Sequence, residues 1–406
     1  MTKFFRVSLL ILFAVLLVSG SVSAQEPRQV YAFYFGWWLS ESWGDSALTD
    51  RPAAPYDQRD SSAIGSHIDQ ARSAGIDAFI MSYYGPADNN LTSQTFNALL
   101  DQSAARGFRA GAAVDLGGAY NTTTDAVIQT LNYLINDRAA HPAYLRYNGM
   151  PVIYFWNQAR FSVSQWAAIR QQVDPNYNTI WVAEGTNTNF LSVFDGLYLF
   201  NVAWSGNPAS TAATWLQRTV QAGGWFYTPT VHPGWDESAI AAREGRSNPT
   251  NTQNRAGGGY LTQSWNGAAS SGAGVILIVS WNEYYENSHI EPSQNYGTTA
   301  LDTLRSLISA WKGGQPAAAA APAASGAAPG TPTGQTFTLG FIANFRSAPN
   351  TGAGVIDLIP FATVVDVVGR NADASWLQVN FNGSSGWVSA SLGMPSGDVY
   401  ALPVTG

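Results

Sequence analysis

Three observations in the sequence point to an α/β protein, a (β/α) eight-fold barrel with a small all-β domain behind it. Apolar runs alternate with amphipathic helical stretches from Gln29 to Trp311, the pattern of strand–helix units in a parallel sheet. Eight such units fit a barrel, whose usual size is ~250 residues. The composition then breaks: Gly313 to Gln335 is almost wholly Ala, Pro, Gly, Ser and Thr, which cannot build a core and reads as a linker. Residues 336–406 finally show short alternating strands with turn punctuation. An open, doubly wound sheet is the competing architecture, but no Gly-rich phosphate fingerprint follows an early strand.

Taken in order, the expected strands are Val30–Trp38, Ile76–Tyr84, Arg109–Leu116, Pro151–Trp156, Thr179–Ala183, Gly196–Val202, Trp225–Val231 and Gly274–Trp281. Helices are expected over Ser62–Ala74, Ser93–Arg106, Thr124–Asn136, Ser164–Gln172, Ala209–Ala222 and Thr298–Trp311, with only a turn between the fifth and sixth strands. In the small domain the strands are Phe337–Ile342, Ala362–Val368, Trp376–Phe381 and Gly386–Val388. The domain boundaries are therefore 1–24, 25–312, 313–335 and 336–406.

Residues 1–24 read as a secretory leader: Lys3 and Arg6 are its charged start, Val7 to Val18 its apolar core, and Val22-Ser23-Ala24 its cleavage site. Export is the expectation, to the periplasm, the cell surface or the medium. The apolar core is shorter than the ~20 residues of a spanning helix, so no membrane span is expected after cleavage. A net charge of −7 gives no basic footprint for nucleic acid. Cys is absent, and the four His stand at 67, 141, 232 and 289. That excludes disulfides and thiolate nucleophiles and argues against a His-rich metal centre, so no cofactor is expected. Aromatic residues make up 13% of the chain, with 15 Trp, a supply suited either to stacking on flat apolar ligand faces or to a generous core.

The chemistry concentrates after the eighth strand. A buried β-branched run, Gly274 to Val279, turns abruptly into Trp281-Asn282-Glu283-Tyr284-Tyr285-Glu286. Within a strand the two Glu would point to opposite faces. In one helical turn they would share a face, ~5–6 Å apart at Cβ. Two carboxylates so placed are the minimum equipment for hydrolysing a glycosidic bond. Other strand ends deliver similar residues: Tyr34 and Trp37, Tyr83 and Tyr84, Asp115, Asn157, Glu184, Trp204, His232 and Trp235. In a barrel these ends surround one mouth.

The eighth-strand segment resembles the endo-α-mannosidase/mannanase family, glycoside hydrolase family 99. The resemblance rests on Asn282-Glu283-Tyr284-Tyr285-Glu286 with Ile290-Glu291-Pro292, on Pro229 to Asp236, on Asn251-Thr252-Gln253-Asn254-Arg255 with Gly259-Tyr260, and on Tyr31 to Tyr34, Ser82 to Gly85 and Gly149 to Tyr154. It covers roughly residues 29–312. It implies endo-cleavage of an α-mannosidic linkage in oligo- or polysaccharide with retention of configuration, Glu283 acting as base toward the substrate's 2-hydroxyl and Glu286 as acid, then base. Substrate-binding positions implied or suggested are Tyr34, Trp37, Tyr83, Tyr84, Asp115, His232, Trp235, Arg255 and Asn282. The family commonly has Trp-His between the two Glu and Gly-Thr after them. Here Tyr284-Tyr285 and Asn287-Ser288 stand there, and the changed residues are expected against the substrate. The C-terminal portion resembles bacterial Src-homology-3-like domains through Asn344 to Pro349, Ala374 to Val379 and Gly386-Trp387-Val388. That implies a small β-barrel binding module, often for a cell-wall ligand.

Plainer readings stand beside these. Asp115 and Glu184 also suit helix caps or rim salt bridges, and His232 also suits a hydrogen bond to the backbone. Arg255 also suits orienting a carboxylate, Glu291 reads as a rim or cap residue, and the tyrosines also suit barrel-top packing. Two rival functions remain, a catalytically silent carbohydrate-binding or wall-tethering protein and a glycosidase of other sugar specificity.

Overall fold

A computed structural model describes residues 28–246, 252–313, 328–339, 343–350, 353–359 and 363–405. The leader and most of the linker lie outside these, as do Asn251, the end of the strand expected over Phe337–Ile342 and the start of that over Ala362–Val368.

The first domain runs β1 (Gln29–Tyr34), α1 (Ser61–Ser73), β2 (Ala78–Tyr83), α2 (Leu91–Arg106), β3 (Arg109–Asp115), α3 (Thr124–Asn132), the two-residue β4 (Arg146–Tyr147), β5 (Met150–Trp156), α4 (Val163–Val173), β6 (Ile180–Glu184), β7 (Gly196–Tyr198), α5 (Pro208–Gln221), β8 (Phe226–Thr228), β9 (Thr230–Val231), α6 (Ser238–Arg243), α7 (Gly259–Ser270), β10 (Val275–Ile278) and α8 (Thr299–Lys312). Helix starts follow local chemistry. Asp60, Asn90, Thr123, Ser162 and Asn207 each accept a first-turn N–H, replacing an orphan donor's missing partner. Between β6 and β7 only a short 3-10 turn intervenes, as expected. Sequence patterning did not reveal α6 or α7, whose surroundings are rich in Gly.

All barrel strands other than the hairpin partner β4 are parallel, in the order β8-β7-β6-β5-β3-β2-β1-β10-β9. The expected seventh strand is split at Pro229, which has no N–H to give a ladder. Its first half pairs with β7 and its second with β10. The Pro229 carbonyl still accepts the Leu277 N–H at 3.0 Å. One chain segment thus carries the ring from its last strand back to its first, leaving a nearly closed barrel of nine parallel strands. Among the described residues, no helix is long and apolar enough to cross a membrane.

Side chains alternate strictly along each strand. Val30, Ala32 and Tyr34 face the helices together with Phe79, Met81 and Tyr83. Tyr31, Phe33 and Phe35 fill the interior with Ile80, Ala113, Tyr154 and Leu277. This parity decides which residues beyond the strand ends reach the mouth.

The second domain is an antiparallel sheet of β11 (Thr336–Leu339), β12 (Ala343–Arg346), β13 (Val355–Ile359), β14 (Val364–Arg370), β15 (Trp376–Phe381), β16 (Ser384–Ser389) and β17 (Gly393–Pro395). Its order is β13-β12-β16-β15-β14-β11-β17, around a core including Phe337, Phe345, Val367, Leu377 and Val388.

Candidate active site

β10 ends at Ile278, three residues before the expected Trp281, and the chain folds into a loop that its own polar groups close. Ser280 N–H donates to the Ser288 carbonyl at 2.9 Å, Ser288 N–H to the Glu283 carbonyl at 3.2 Å, and Ile290 N–H to the Ser280 carbonyl at 3.0 Å. The Ser280 hydroxyl accepts the Glu283 N–H at 2.8 Å. Asn287, at φ 52°, takes the left-handed corner that Asn tolerates. Asn282 spends its side-chain amide on Phe35, accepting its N–H at 2.8 Å and donating to its carbonyl at 2.9 Å. The loop is thereby fastened to the extension of β1. Asn282 is a scaffold residue, fully buried, and does not face the mouth.

Two cavities meet at this loop. The smaller, about 310 Å³, is lined by Trp37, Tyr84, Asp115 and Gly117 among others. The larger, about 680 Å³, extends between Glu184, Asn201 and Trp204 on one side and α6 on the other. Glu283, Glu286, Trp156 and Phe200 line both, so the two carboxylates sit where the cavities join. Trp37 and Tyr84 stack at 6.1 Å. A Cβ at position 117 would come within 2.3 Å of the Trp156 ring, so only glycine lets that ring reach the floor. Glu283 is 5% exposed, and its Oε1 accepts the Tyr285 N–H at 2.9 Å. Glu286 Oε2 is buried with no hydrogen-bond partner among the described residues. Burial pushes both carboxyls upward, and Glu286 is raised further by the Glu283 charge. Two adjacent buried carboxylates resist double ionisation, so one of them keeps its proton. The backbone donor on Glu283 Oε1 favours the ionised form there, and Glu286 Oε2, bare of any donor among the described residues, favours the proton.

Among the described residues, Asp115 and Glu184 neither cap a helix nor form an ion pair. Asp115 accepts the Ser82 hydroxyl and the Gly117 N–H, both at 2.8 Å, and burial raises its carboxyl. Glu184 faces the larger cavity, also raised by burial. Trp235 lies between the larger cavity and a third of about 600 Å³.

Besides Asn282, four expected positions fall elsewhere. Tyr34 and Tyr83 have the outward parity of their strands: Tyr34 stacks on Phe79 at 4.7 Å with its hydroxyl 3.0 Å from His67 Nδ1, and Tyr83 packs on Phe96 at 5.1 Å. His232 is fully buried, accepts the Val202 N–H at 3.2 Å, and is held neutral by burial, at about 4. Arg255 borders only the third cavity. Its guanidinium donates to the Asn287 carbonyl at 2.9 Å and lies 4.0 Å from the Tyr296 ring centre, a bracing role for the loop. Of the residues that depart from the family pattern, Tyr285 lines the larger cavity, whereas Tyr284 turns inward to Glu291 at 2.9 Å. Glu291 is not a rim residue. It is 5% exposed and takes hydrogen bonds from His67, Tyr56 and Tyr284.

A parallel (β/α) barrel that gathers paired carboxylates and aromatic rings where its cavities join has the build of a glycoside hydrolase. Residues 50–305, more than half the chain, match the model of glycosyl hydrolase family 99, and the chain belongs to that family. A bacterial SH3 domain model matches residues 343–393. Among curated proteins, mouse glycoprotein endo-alpha-1,2-mannosidase is 26% identical over 272 residues, covering 61% of this chain and 58% of that protein. The human glycoprotein endo-alpha-1,2-mannosidase-like protein is 24% identical over 260 residues, covering 58% and 55%. This chain therefore spans a little over half the length of these relatives. The solved GH99 endo-alpha-mannosidase of Bacteroides thetaiotaomicron superposes with a TM-score of 0.61 at 22% identity, over 70% of this chain and 98% of that one, a likeness of fold.

Proposed function

We propose that the protein is an exported retaining endo-glycosidase that cleaves α-mannosidic linkages in a glycan or polysaccharide. The observation that carries this reading is the junction: two buried carboxylates, one held by a backbone donor and one with a bare oxygen, where two aromatic-walled cavities meet. Cavity on both sides of the reacting groups suits a chain cut internally. Glu283, ionised first, takes the proton of the substrate's 2-hydroxyl as that oxygen attacks the anomeric carbon. Glu286, still protonated, gives its proton to the departing glycosidic oxygen. The resulting anhydro-sugar is opened by water, which Glu286 deprotonates while Glu283 returns its proton to O2. Inversion at each of the two steps gives net retention. Trp37, Tyr84 and Trp235 supply ring faces for sugars, and Asp115 and Glu184 supply acceptors for their hydroxyls. The small domain is proposed to hold the enzyme near a cell-wall ligand, without chemistry of its own.

The test is a screen of the purified protein against α-mannans and other α-linked glycans, with anomer-resolved product analysis. Linkages of the α-1,2 type come first, since the curated relatives are named for them. Internal products of retained configuration from an α-mannan are expected. Cleavage of another sugar alone would remove the mannan reading. If Asp115→Asn abolishes turnover while Glu283→Gln does not, Asp115 belongs to the reacting pair.

A further inference from the structure

Tyr285 lies between the two glutamates and is gripped from three parts of the chain. Its hydroxyl donates to Asp45 Oδ2 at 2.8 Å. Its ring lies 5.2 Å from that of Trp38 and 5.2 Å from the Arg243 guanidinium. Arg243, the last residue of α6, pairs with the same Asp45 oxygen. The Asp45 carboxylate is itself fixed, because its Oδ1 accepts the Ala47 N–H at 2.8 Å. These contacts immobilise Tyr285, whose backbone N–H donates to Glu283 Oε1 at 2.9 Å. A backbone donor on a carboxylate favours its ionised form.

Resting on the functional reading above, we propose that Tyr285 is a positioning residue for the Glu283 carboxylate, and that Asp45 and Arg243 form the clasp that holds it. Neither partner belongs to the Asn-Glu motif. The clasp links the loop after β1, the α6 segment and the loop after β10, so it also sets that wall of the larger cavity. Asp45 stays ionised across the working range, because the Ala47 N–H, Arg243 and Tyr285 hold its carboxyl down at about 2.

The charged and titratable groups facing Glu283 are Glu286 beside it, Asp115 and Tyr84 across the smaller cavity, and Glu184, Glu237, Glu244, Arg243 and Arg246 around the larger one. Tyr285→Phe removes none of these groups. It is expected to lower kcat/KM at pH 6 by ~5–10-fold, the scale of a weakened hydrogen bond to a charged group. The acid limb of the pH profile should move up by about 0.5–1 unit, because Glu283 then holds its proton more tightly. Asp45→Ala separates positioning from plain electrostatics. Deleting a nearby negative charge would by its field move the limb down, whereas releasing Tyr285 moves it up. The double variant should be no worse than Asp45→Ala alone. Titration of the Glu283 carboxyl by carbon-13 NMR, in full-length protein carrying Glu286→Gln, reads the same shift without turnover. An unmoved titration in Tyr285→Phe, or a downward move in Asp45→Ala, overturns the clasp. A titration that moves as expected, beside a wild-type protein that cleaves no α-mannan, supports the clasp and removes the α-mannosidase reading.

Discussion

Glu291 and Glu286 leave the same loop, both carry a carboxyl withdrawn from water, and their surroundings are opposite. Around Glu291 the barrel supplies three donors: His67 Nε2 at 2.9 Å, Tyr284 OH at 2.9 Å and Tyr56 OH at 3.1 Å. Tyr56 and Tyr284 are in turn packed against Trp43, so the network is rigid as well as satisfied. Around Glu286 the protein supplies a cavity, a neighbouring carboxylate and no partner for Oε2. A buried charge that is fully hydrogen-bonded holds structure together. A buried carboxyl left without donors holds its proton instead, the state a general acid needs.

That contrast is sharpest in stability. Glu291→Ala leaves three buried donors facing a void, a loss on the order of 3–5 kcal/mol, measurable by denaturant unfolding of the barrel. A loss below about 1 kcal/mol would mean that the network is not holding the loop. Glu286→Gln is expected to go the other way by a smaller amount. Burial raises the folded-state pKa of this carboxyl, so the unfolded chain, at ~4.3, loses its proton first as pH rises. Wild-type stability is therefore eroded from about that pH upward through the raised folded value. The Gln variant escapes this erosion. The two should melt together near pH 4 and diverge by neutrality by ~2–4 °C for each kcal/mol relieved. A Glu286→Gln protein that melts below the wild type at pH 7 would show that the carboxyl is satisfied after all.

How far the sequence reached differs between these two carboxylates for a physical reason. The Glu283–Glu286 pair stood out because charge beside a buried β-branched run is costly and so conspicuous. Glu291 looked like a rim residue because its partners, Tyr56 and His67, lie more than two hundred residues earlier in the chain, and no local pattern announces them. The barrel was legible in the alternation of runs, while α7 was hidden by its Gly-Gly-Gly start, which is poor in helix propensity. Tyr34 and Tyr83 were misplaced for want of a parity count. Each falls in step with outward residues, Val30 and Ala32 in β1 and Phe79 and Met81 in β2. Period-two counting alone sends them to the helices. Trp37 and Tyr84 lie an odd number of residues further on, which returns them to the mouth. The Asp45–Arg243–Tyr285 clasp joins three distant segments and had no sequence signal.

The central claim is that Glu283 and Glu286 divide the base and acid roles, and leaving-group dependence tests it most directly. Each Gln variant should lose ~10²–10⁴ in kcat on a natural glycan. On an α-mannoside with an activated aryl leaving group, which needs little protonation, Glu286→Gln should recover much of its rate. Glu283→Gln should not, because the 2-hydroxyl still lacks its base. Equal rescue of both variants, or near-normal turnover by either on the glycan, would contradict the assignment.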